Sequence, residues 1–180
     1  GKRFIRLVYT GAAAQANVQI NEFLGYTEEH KSIQPWVIPQ WQQGYGVVYY
    51  NTHGSPTAAS DIISSSQCGQ LDNTHPGFIF SKACSTAHPE TTNNLCASYV
   101  FNGGVAVVGA TRVSYGWGDM GYQLLMPKLV QQNKPFGRVY GETCRDAAAA
   151  NYYGWGGYYE DALRFVLYGD PTMRLLTDRD

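Results

Sequence analysis

Two residues in this chain have the type and the setting for nucleophilic chemistry: His53, in Asn51-Thr52-His53-Gly54-Ser55, and Cys84, in Ala83-Cys84-Ser85. Each follows directly on a short apolar run. A free thiol, with a pKa of about 8.5, is mostly protonated at neutral pH, and a neighbouring imidazole can take up its proton and raise the thiolate fraction. In that reading Cys84 attacks a carbonyl carbon, and His53 activates the thiol or protonates the leaving amine. Gly54 has no Cβ, so the backbone beside His53 can approach a substrate carbonyl and offer its N–H to a developing oxyanion, with the Cys84 N–H as the natural second donor. Small Ala83 and Ser85 leave room for a sharp exit from the strand and for an extended substrate.

Blander readings of the same residues set the alternatives. A cysteine behind a strand is commonly a buried structural thiol, and a disulfide from Cys84 to Cys68 or Cys96 is a further possibility, although Cys96 lies on the apolar face of its helix and reads as core. Cys68, His75, Cys84 and His88 are of types that suit zinc, yet their spacings match no compact ligand motif. Ser55 is poorly placed as a nucleophile, two residues from its base on a tight turn, and instead shapes the turn or binds substrate backbone. Trp117, in Ser114-Tyr115-Gly116-Trp117-Gly118, is either a core aromatic or a pocket wall. Its flanking glycines and loop position favour the wall.

The elements that must position these residues are legible as four continuous apolar runs, Phe4 to Tyr9, Gly46 to Asn51, Phe78 to Lys82 and Val105 to Ala110. Continuous rather than alternating apolarity suits strands buried on both faces. Helical spacing lies between them: Ala13, Ala16, Ile20, Phe23 and Leu24, closed by Gly25 as a C-cap; Asn94 to Phe101; and the face Phe136, Val139, Tyr140, Thr143, Cys144 and Ala147. Asp119 is placed to cap a helix to about Gln132 that Pro127 kinks or interrupts. Ser60 to Gln67 and Tyr152 to Tyr159 read as loops. Alternation of strand and helix predicts an α/β fold with a mostly parallel sheet covered on both faces, built as one domain over residues 1–180. In such a sheet ligands bind beyond the carboxyl ends of the strands. His53 and Cys84 leave two strands at that edge, and Trp117 follows a third.

Composition narrows the function classes. With 44% hydrophobic and 15% charged residues, the 180-residue chain is too apolar to be disordered. A formal charge of -1 without a Lys/Arg cluster argues against a nucleic-acid partner. The longest uncharged apolar stretch, Gly103 to Ala110, is far short of the roughly 20 residues a membrane helix needs, so no membrane span is expected. Low charge with abundant Tyr, Gly, Ser, Asn and Gln leans toward an extracellular setting. With no signal peptide visible and a strand expected almost at once, Gly1 looks like the start of a mature or excised form.

A hydrophobic run ending in His-Gly, followed some thirty residues later by one ending in Ala-Cys, resembles the caspase-like cysteine peptidases. Val47 to Ser55, Phe78 to Cys84, Gly104 to Thr111 with Trp117 shortly after, and Leu167-Tyr168-Gly169-Asp170-Pro171-Thr172-Met173-Arg174-Leu175 are most similar to the gingipain branch. The resemblance implies a caspase-like three-layer α/β/α sandwich and a cysteine endopeptidase acting through a thioester. It implies His53 and Cys84 as the dyad, Gly54 and Cys84 N–H groups as the oxyanion hole, and Trp117 and Met120 lining the S1 pocket. It also implies a peptide or protein substrate, no cofactor, a place within a larger precursor, and secretion or display at the cell surface. Gly169-Asp170-Pro171 is similar to the turn that ends this domain in the family, a structural role.

The sequence departs from that pattern at two carboxylates. Gingipains carry one near the end of the first strand that orients the His, where this chain has Tyr9-Thr10-Gly11, and an Asp that reads a basic P1 side chain, whereas Gly11 to Val18 has no Asp or Glu. A basic side chain buried without a counter-charge costs several kcal/mol, so Asp61 and Asp119 are the remaining candidates, and a weaker basic preference than in gingipains is expected. The missing carboxylates also support a reading from another class: a weak or inactive caspase-like domain used for binding or assembly.

Overall fold

The computed structural model describes residues 2–5, 24–26, 37–42, 46–71, 74, 76–114, 120–131, 133–151 and 156–175. Its centre is three parallel strands, β3 (Val47–Asn51), β7 (Gly77–Lys82) and β8 (Gly104–Ala110), with β3 and β8 on either side of β7. These are three of the four apolar runs. Their burial on both faces explains the continuous apolarity, since successive side chains point to opposite sides and both sides are covered.

The sheet is extended at both edges by antiparallel strands. β1 (Lys2–Ile5) pairs with β3 and with β2 (Leu24–Tyr26), and β9 (Phe165–Gly169) closes the other edge against β8. The order is β2-β1-β3-β7-β8-β9, and β2, β3, β7 and β8 run in one direction, so four of the six strands are co-directional. Leu24 and Gly25 lie inside β2, paired with Phe4 and Arg3, and not at the end and C-cap of a helix; the rest of the helix expected from Ala13 to Leu24 lies outside the described residues. Pairing with β1 supplies Leu24–Tyr26 with ladder bonds that its local spacing does not reveal.

Helices cover both faces. On one, Val47, Tyr49, Phe78, Phe80, Ala106 and Val108 pack with Leu125, Leu129, Phe136, Val139 and Ala147. These come from α3 (Met126–Gln131) and α4 (Phe136–Asn151), which are joined on this side by α5 (Gly156–Arg164), and a π-helical turn, Gly121–Leu125, that leads into α3. Pro127 stands at the first turn of α3, where the ladder switches from π to α, which is how the expected interruption is met. On the opposite face Val48, Tyr50, Ile79 and Val107 meet Val37 and Trp41 of α1 (Val37–Trp41), and Leu95, Cys96 and Tyr99 of α2 (Leu95–Phe101). The Asn94 side chain caps α2 by accepting from the Ala97 N–H at 2.9 Å. The result is the three-layer α/β/α sandwich that the order of elements predicts.

Two predicted loops contain regular structure. After β3 the chain folds into a small antiparallel sheet, β4 (Gly54–Ser55), β5 (Ala58–Ala59) and β6 (Ile63–Ser64), followed by a 3-10 helix over Ser65–Gln70. Ile63 and Cys68 are drawn into the core, and their burial organises a stretch whose serines alone read as irregular. The Gly- and Tyr-rich region likewise contributes its second half to α5, which buries Asp161 against Lys82.

Candidate active site

Parallel pairing of β3 and β7 places Asn51 beside Lys82, and the alignment continues past the strand ends, with the Thr52 N–H donating to the Lys82 carbonyl at 3.0 Å. His53-Gly54 and Ala83-Cys84 therefore leave the sheet side by side. The closeness is measured at Gly54: a Cβ there would stand 2.7 Å from the Cys84 carbonyl oxygen, 2.8 Å from Ala83 Cβ and 3.0 Å from the Cys84 nitrogen. No residue but glycine allows this approach. Ser60 N–H donates to the His53 carbonyl at 2.8 Å, which makes His53 and Ser60 a hydrogen-bonded pair of the small sheet. Antiparallel alternation then turns the Gly54 N–H and C=O away from β5. His53 is exposed, Cys84 half-buried and Ser55 exposed at the same rim.

The turn that carries Cys84 is tightly specified. Ser85 has φ of 59°, a left-handed conformation costing a non-glycine residue about 1–2 kcal/mol. It is held by its N–H on the Arg112 carbonyl and its own carbonyl on the His88 N–H, each at 3.0 Å. The Ala87 N–H reaches the Ala110 carbonyl at 2.9 Å, so the turn is laid across the end of β8. The Cys84 thiol donates to the Ser114 carbonyl at 3.2 Å.

Both faces of the sheet support the β7 tip. On the α2 side Tyr50 donates to Ser81 Oγ at 2.7 Å, Ser81 to Thr86 Oγ1 at 3.0 Å, and Thr86 to the Ala83 carbonyl at 3.3 Å. Since the Tyr50 proton is used on Ser81, Tyr99 is the donor in the 2.8 Å contact between the two phenols. The hydroxyls thus form a one-way relay ending on the carbonyl before the thiol, and such chains strengthen one another in a dry interior. Burial pushes both phenols above the ordinary tyrosine range. On the α5 side the Lys82 ammonium pairs with Asp161 and lies 5.0 Å from the centre of the Phe165 ring. Burial lowers Lys82 and raises Asp161 from their usual pKa values, and each is opposed by its partner's charge.

The other sequence candidates fall as follows. Trp117, Asp119 and His75 lie outside the described residues, as do Tyr9-Thr10-Gly11 and 11–18. Met120 is fully buried in the helical core cluster, so its side chain faces the protein interior. Asp61 sits in the turn between β5 and β6 at φ of 60° and is half-buried. All four cysteines are free thiols, and among the described residues no group of side chains gathers to hold a metal. Burial raises Cys68 and Cys96 to about 12. Sequence reasoning missed Lys82, Asp161, the hydroxyl relay and the Ser114 carbonyl. The one available signal was a lysine inside the apolar run Phe78-Ile79-Phe80-Ser81-Lys82-Ala83.

The sequence pattern of peptidase family C25 matches residues 5–176. The chain belongs to peptidase family C25. No curated protein matches its sequence. Among solved structures, this C25 chain is similar to the Arg-specific cysteine proteinase gingipain R (RgpB), with a TM-score of 0.65 at 23% identity over 81% of this chain and 37% of that one. It is also similar to the complex of Porphyromonas gingivalis RgpB pro- and mature domains, with a TM-score of 0.63 at 21% identity over 80% of this chain and 38% of that one. A further protease structure gives a TM-score of 0.60 at 17% identity, covering 79% of this chain and 38% of that one. The C25 chain therefore spans well under half the length of these structures, and it shares their α/β fold.

Proposed function

We propose that this C25 domain is a cysteine endopeptidase in which Cys84 is the nucleophile and His53 its base. The observation that carries the reading is the seating of Gly54 against the Cys84 backbone, which brings the His-Gly and Ala-Cys exits together at the carboxyl edge of the parallel strands. His53 takes the Cys84 proton, and the thiol gives up its hydrogen bond to the Ser114 carbonyl. The sulfur attacks the scissile carbonyl carbon, and the oxyanion forms against the Gly54 and Cys84 N–H groups. Collapse expels the amine, protonated by the His53 imidazolium, and leaves a thioester. Water, deprotonated by His53, then hydrolyses the thioester and frees Cys84.

Trp117 is assigned to the wall of the S1 pocket and Ser55 to substrate backbone. Burial of the Met120 side chain leaves that residue a role through its backbone. Without an acidic residue over 11–18, Asp61 and Asp119 remain the candidates for a P1 counter-charge, and selectivity for Arg or Lys is weaker than in a strictly Arg-specific enzyme. Strict Arg or Lys cleavage in a P1-varied fluorogenic library would refute this. The substrate is a peptide or protein, and no cofactor takes part. The chain forms one catalytic domain of a larger, secreted precursor. Among the described residues no helix is long and apolar enough to cross a membrane.

Labelling with a peptidyl electrophile tests the reading. Cys84 should be modified, Cys84→Ala should lose the label, and His53→Ala should lower turnover by about 10²–10⁴-fold. Modification of another cysteine, or equal labelling of both proteins, would sink the nucleophile assignment. A domain used only for binding would show neither label nor turnover.

A further inference from the structure

Four buried hydroxyls stand in a row beneath the nucleophile turn, and stability does not account for them. Tyr50, Ser81, Thr86 and Tyr99 are each at most 1% exposed. Phe, Ala, Val and Phe would fill the same space, and exchanging every partner of a buried hydrogen-bonded set for apolar groups of similar shape is close to neutral. The row is held from several sides. The Tyr99 ring stacks on Trp41 with centroids 5.3 Å apart, and the Thr86 carbonyl accepts from the Cys96 N–H at 3.0 Å. Thr86 Oγ1 itself lies over Gly109, where a Cβ would stand only 3.0 Å from it.

Direction and end point set this row apart from ordinary core hydrogen bonding. Tyr99 donates to Tyr50 at 2.8 Å, Tyr50 to Ser81 Oγ at 2.7 Å, Ser81 to Thr86 Oγ1 at 3.0 Å and Thr86 to the Ala83 carbonyl at 3.3 Å. A series of donors must end on an acceptor with no proton of its own, and the Ala83 carbonyl is that acceptor. It shares one planar peptide unit with the Cys84 N–H. A hydrogen bond accepted at the oxygen increases the double-bond character of the C–N link and the positive charge on the N–H, and the bonds upstream add to it in a dry interior. The same bond resists rotation of the peptide plane and so fixes where the N–H points. Other amides of the turn are engaged, Ser85 with Arg112, Ala87 with Ala110 and His88 with Ser85, whereas among the described residues the Cys84 N–H meets no acceptor.

We infer that Thr86, Ser81, Tyr50 and Tyr99 are positioning residues for the oxyanion: their hydroxyls polarise and orient the Ala83–Cys84 peptide, which makes its N–H a stronger and better-aimed donor to the tetrahedral intermediate. The inference rests on the peptidase reading for its catalytic consequence, and its structural content stands apart from that reading. Two reactions of Cys84 should then respond differently. Attack on a peptide carbonyl builds an oxyanion and draws on the Cys84 N–H, whereas the thiolate displaces iodide from iodoacetamide, forming a C–S bond, with no oxyanion at all.

Thr86→Val keeps the shape and removes the last hydroxyl, and Thr86→Ser keeps the hydroxyl. A fourfold variant, Tyr50→Phe, Ser81→Ala, Thr86→Val and Tyr99→Phe, removes the relay without leaving a buried donor unpaired, so either it or Thr86→Val suffices if the other fails to fold. Ala83-Cys84 is the one Ala-Cys step of the chain, so protein labelled with carbonyl-13C alanine and 15N cysteine gives a single NMR cross-peak from that peptide. In both hydroxyl-free variants its carbonyl and amide nitrogen shifts should move upfield, as for a carbonyl that has lost a hydrogen bond. Their kcat on a fluorogenic peptide should fall about 2–8-fold, a 10–30% share on the logarithmic scale of the roughly 10²–10³-fold that a whole oxyanion donor contributes. KM should stay within about twofold, as for an interaction made only in the transition state. Alkylation of Cys84 by iodoacetamide should stay within about 1.5-fold of the parent rate, and Thr86→Ser should recover most of the shift and of kcat. A cross-peak that does not move in either folded variant overturns the relay. A moved cross-peak with unchanged kcat, alkylation falling in step with kcat, or no recovery in Thr86→Ser overturns the oxyanion role. If the parent protein cleaves no peptide at all, the peptidase reading fails while the cross-peak still decides the relay.

Discussion

Substitution of Gly54 by Ala should damage activity far more than it damages the fold, and the contact geometry sets the size of the effect. The added methyl would meet the Cys84 carbonyl oxygen at 2.7 Å, Ala83 Cβ at 2.8 Å and the Cys84 nitrogen at 3.0 Å, while ordinary contact begins at 3.4 Å. The gap must therefore open by about 0.7 Å, the difference between 3.4 and 2.7. All three contacts are backbone or the first side-chain carbon, so no flexible side chain can swing aside and the two strand exits must part. Gly54 has no left-handed φ, so the perturbation is steric and not conformational. An overpacked contact of this kind costs about 1–3 kcal/mol of stability. Parting the exits also separates the two N–H groups assigned to the oxyanion, and loss of one such donor costs about 10²–10³-fold in kcat. Gly69→Ala is the matched control, since a Cβ there meets nothing within 4 Å. Steady-state cleavage of a fluorogenic peptide and thermal unfolding of both variants would be compared. A Gly54→Ala protein that keeps activity within about threefold of the parent would show that this apposition does not shape the site, and the oxyanion assignment would fall with it.

The cysteines and the surface ion pairs make two further predictions. Burial raises Cys68 and Cys96 to about 12, so the folded protein holds these protons more tightly than the unfolded chain, at about 8.5. Their contribution is complete below about 8.5 and is lost as pH rises toward 12, at up to about 1.4 kcal/mol per pH unit for each thiol. Denaturant midpoints at pH 8 and 10.5 would show the fall, and iodoacetamide at neutral pH should reach Cys84 well before Cys68 or Cys96, which react only on unfolding. At acid pH the sign reverses. Lys128 holds Asp146 below the usual carboxylate range, and Lys134 and Arg138 do the same for Glu142. Their stabilisation is present above about pH 4 and disappears as pH falls through the lowered values. Lys128→Met should therefore reduce the loss of stability between pH 5 and 3, and added salt should shrink the difference because these groups are solvent-screened. An unchanged acid profile in Lys128→Met would refute the assignment.

Sequence alone determined the parts of this protein whose information is local. Continuous apolarity marked β3, β7 and β8, because a strand covered on both faces must be apolar at successive positions. The helical spacing over Asn94 to Phe101 announced α2, because side chains three and four apart share one face of a helix. His53 and Cys84 stood out because each follows such a strand, and their order with Gly54, Trp117 and the C-terminal Gly-Asp-Pro carried the resemblance to gingipains. Tertiary structure decided what depends on distant partners. β9 and β2 are short edge strands whose hydrogen bonds go to segments remote in sequence, and no local period reports them. Gly54 reads from sequence as a residue that lets the backbone approach a substrate, and only the β3–β7 register reveals that it is pressed against Cys84 itself. Lys82 reads as an oddity in an apolar run until α5 brings Asp161, 79 positions away, against it. A charge can be buried only where its counter-charge is delivered, and delivery is a property of the packed layers.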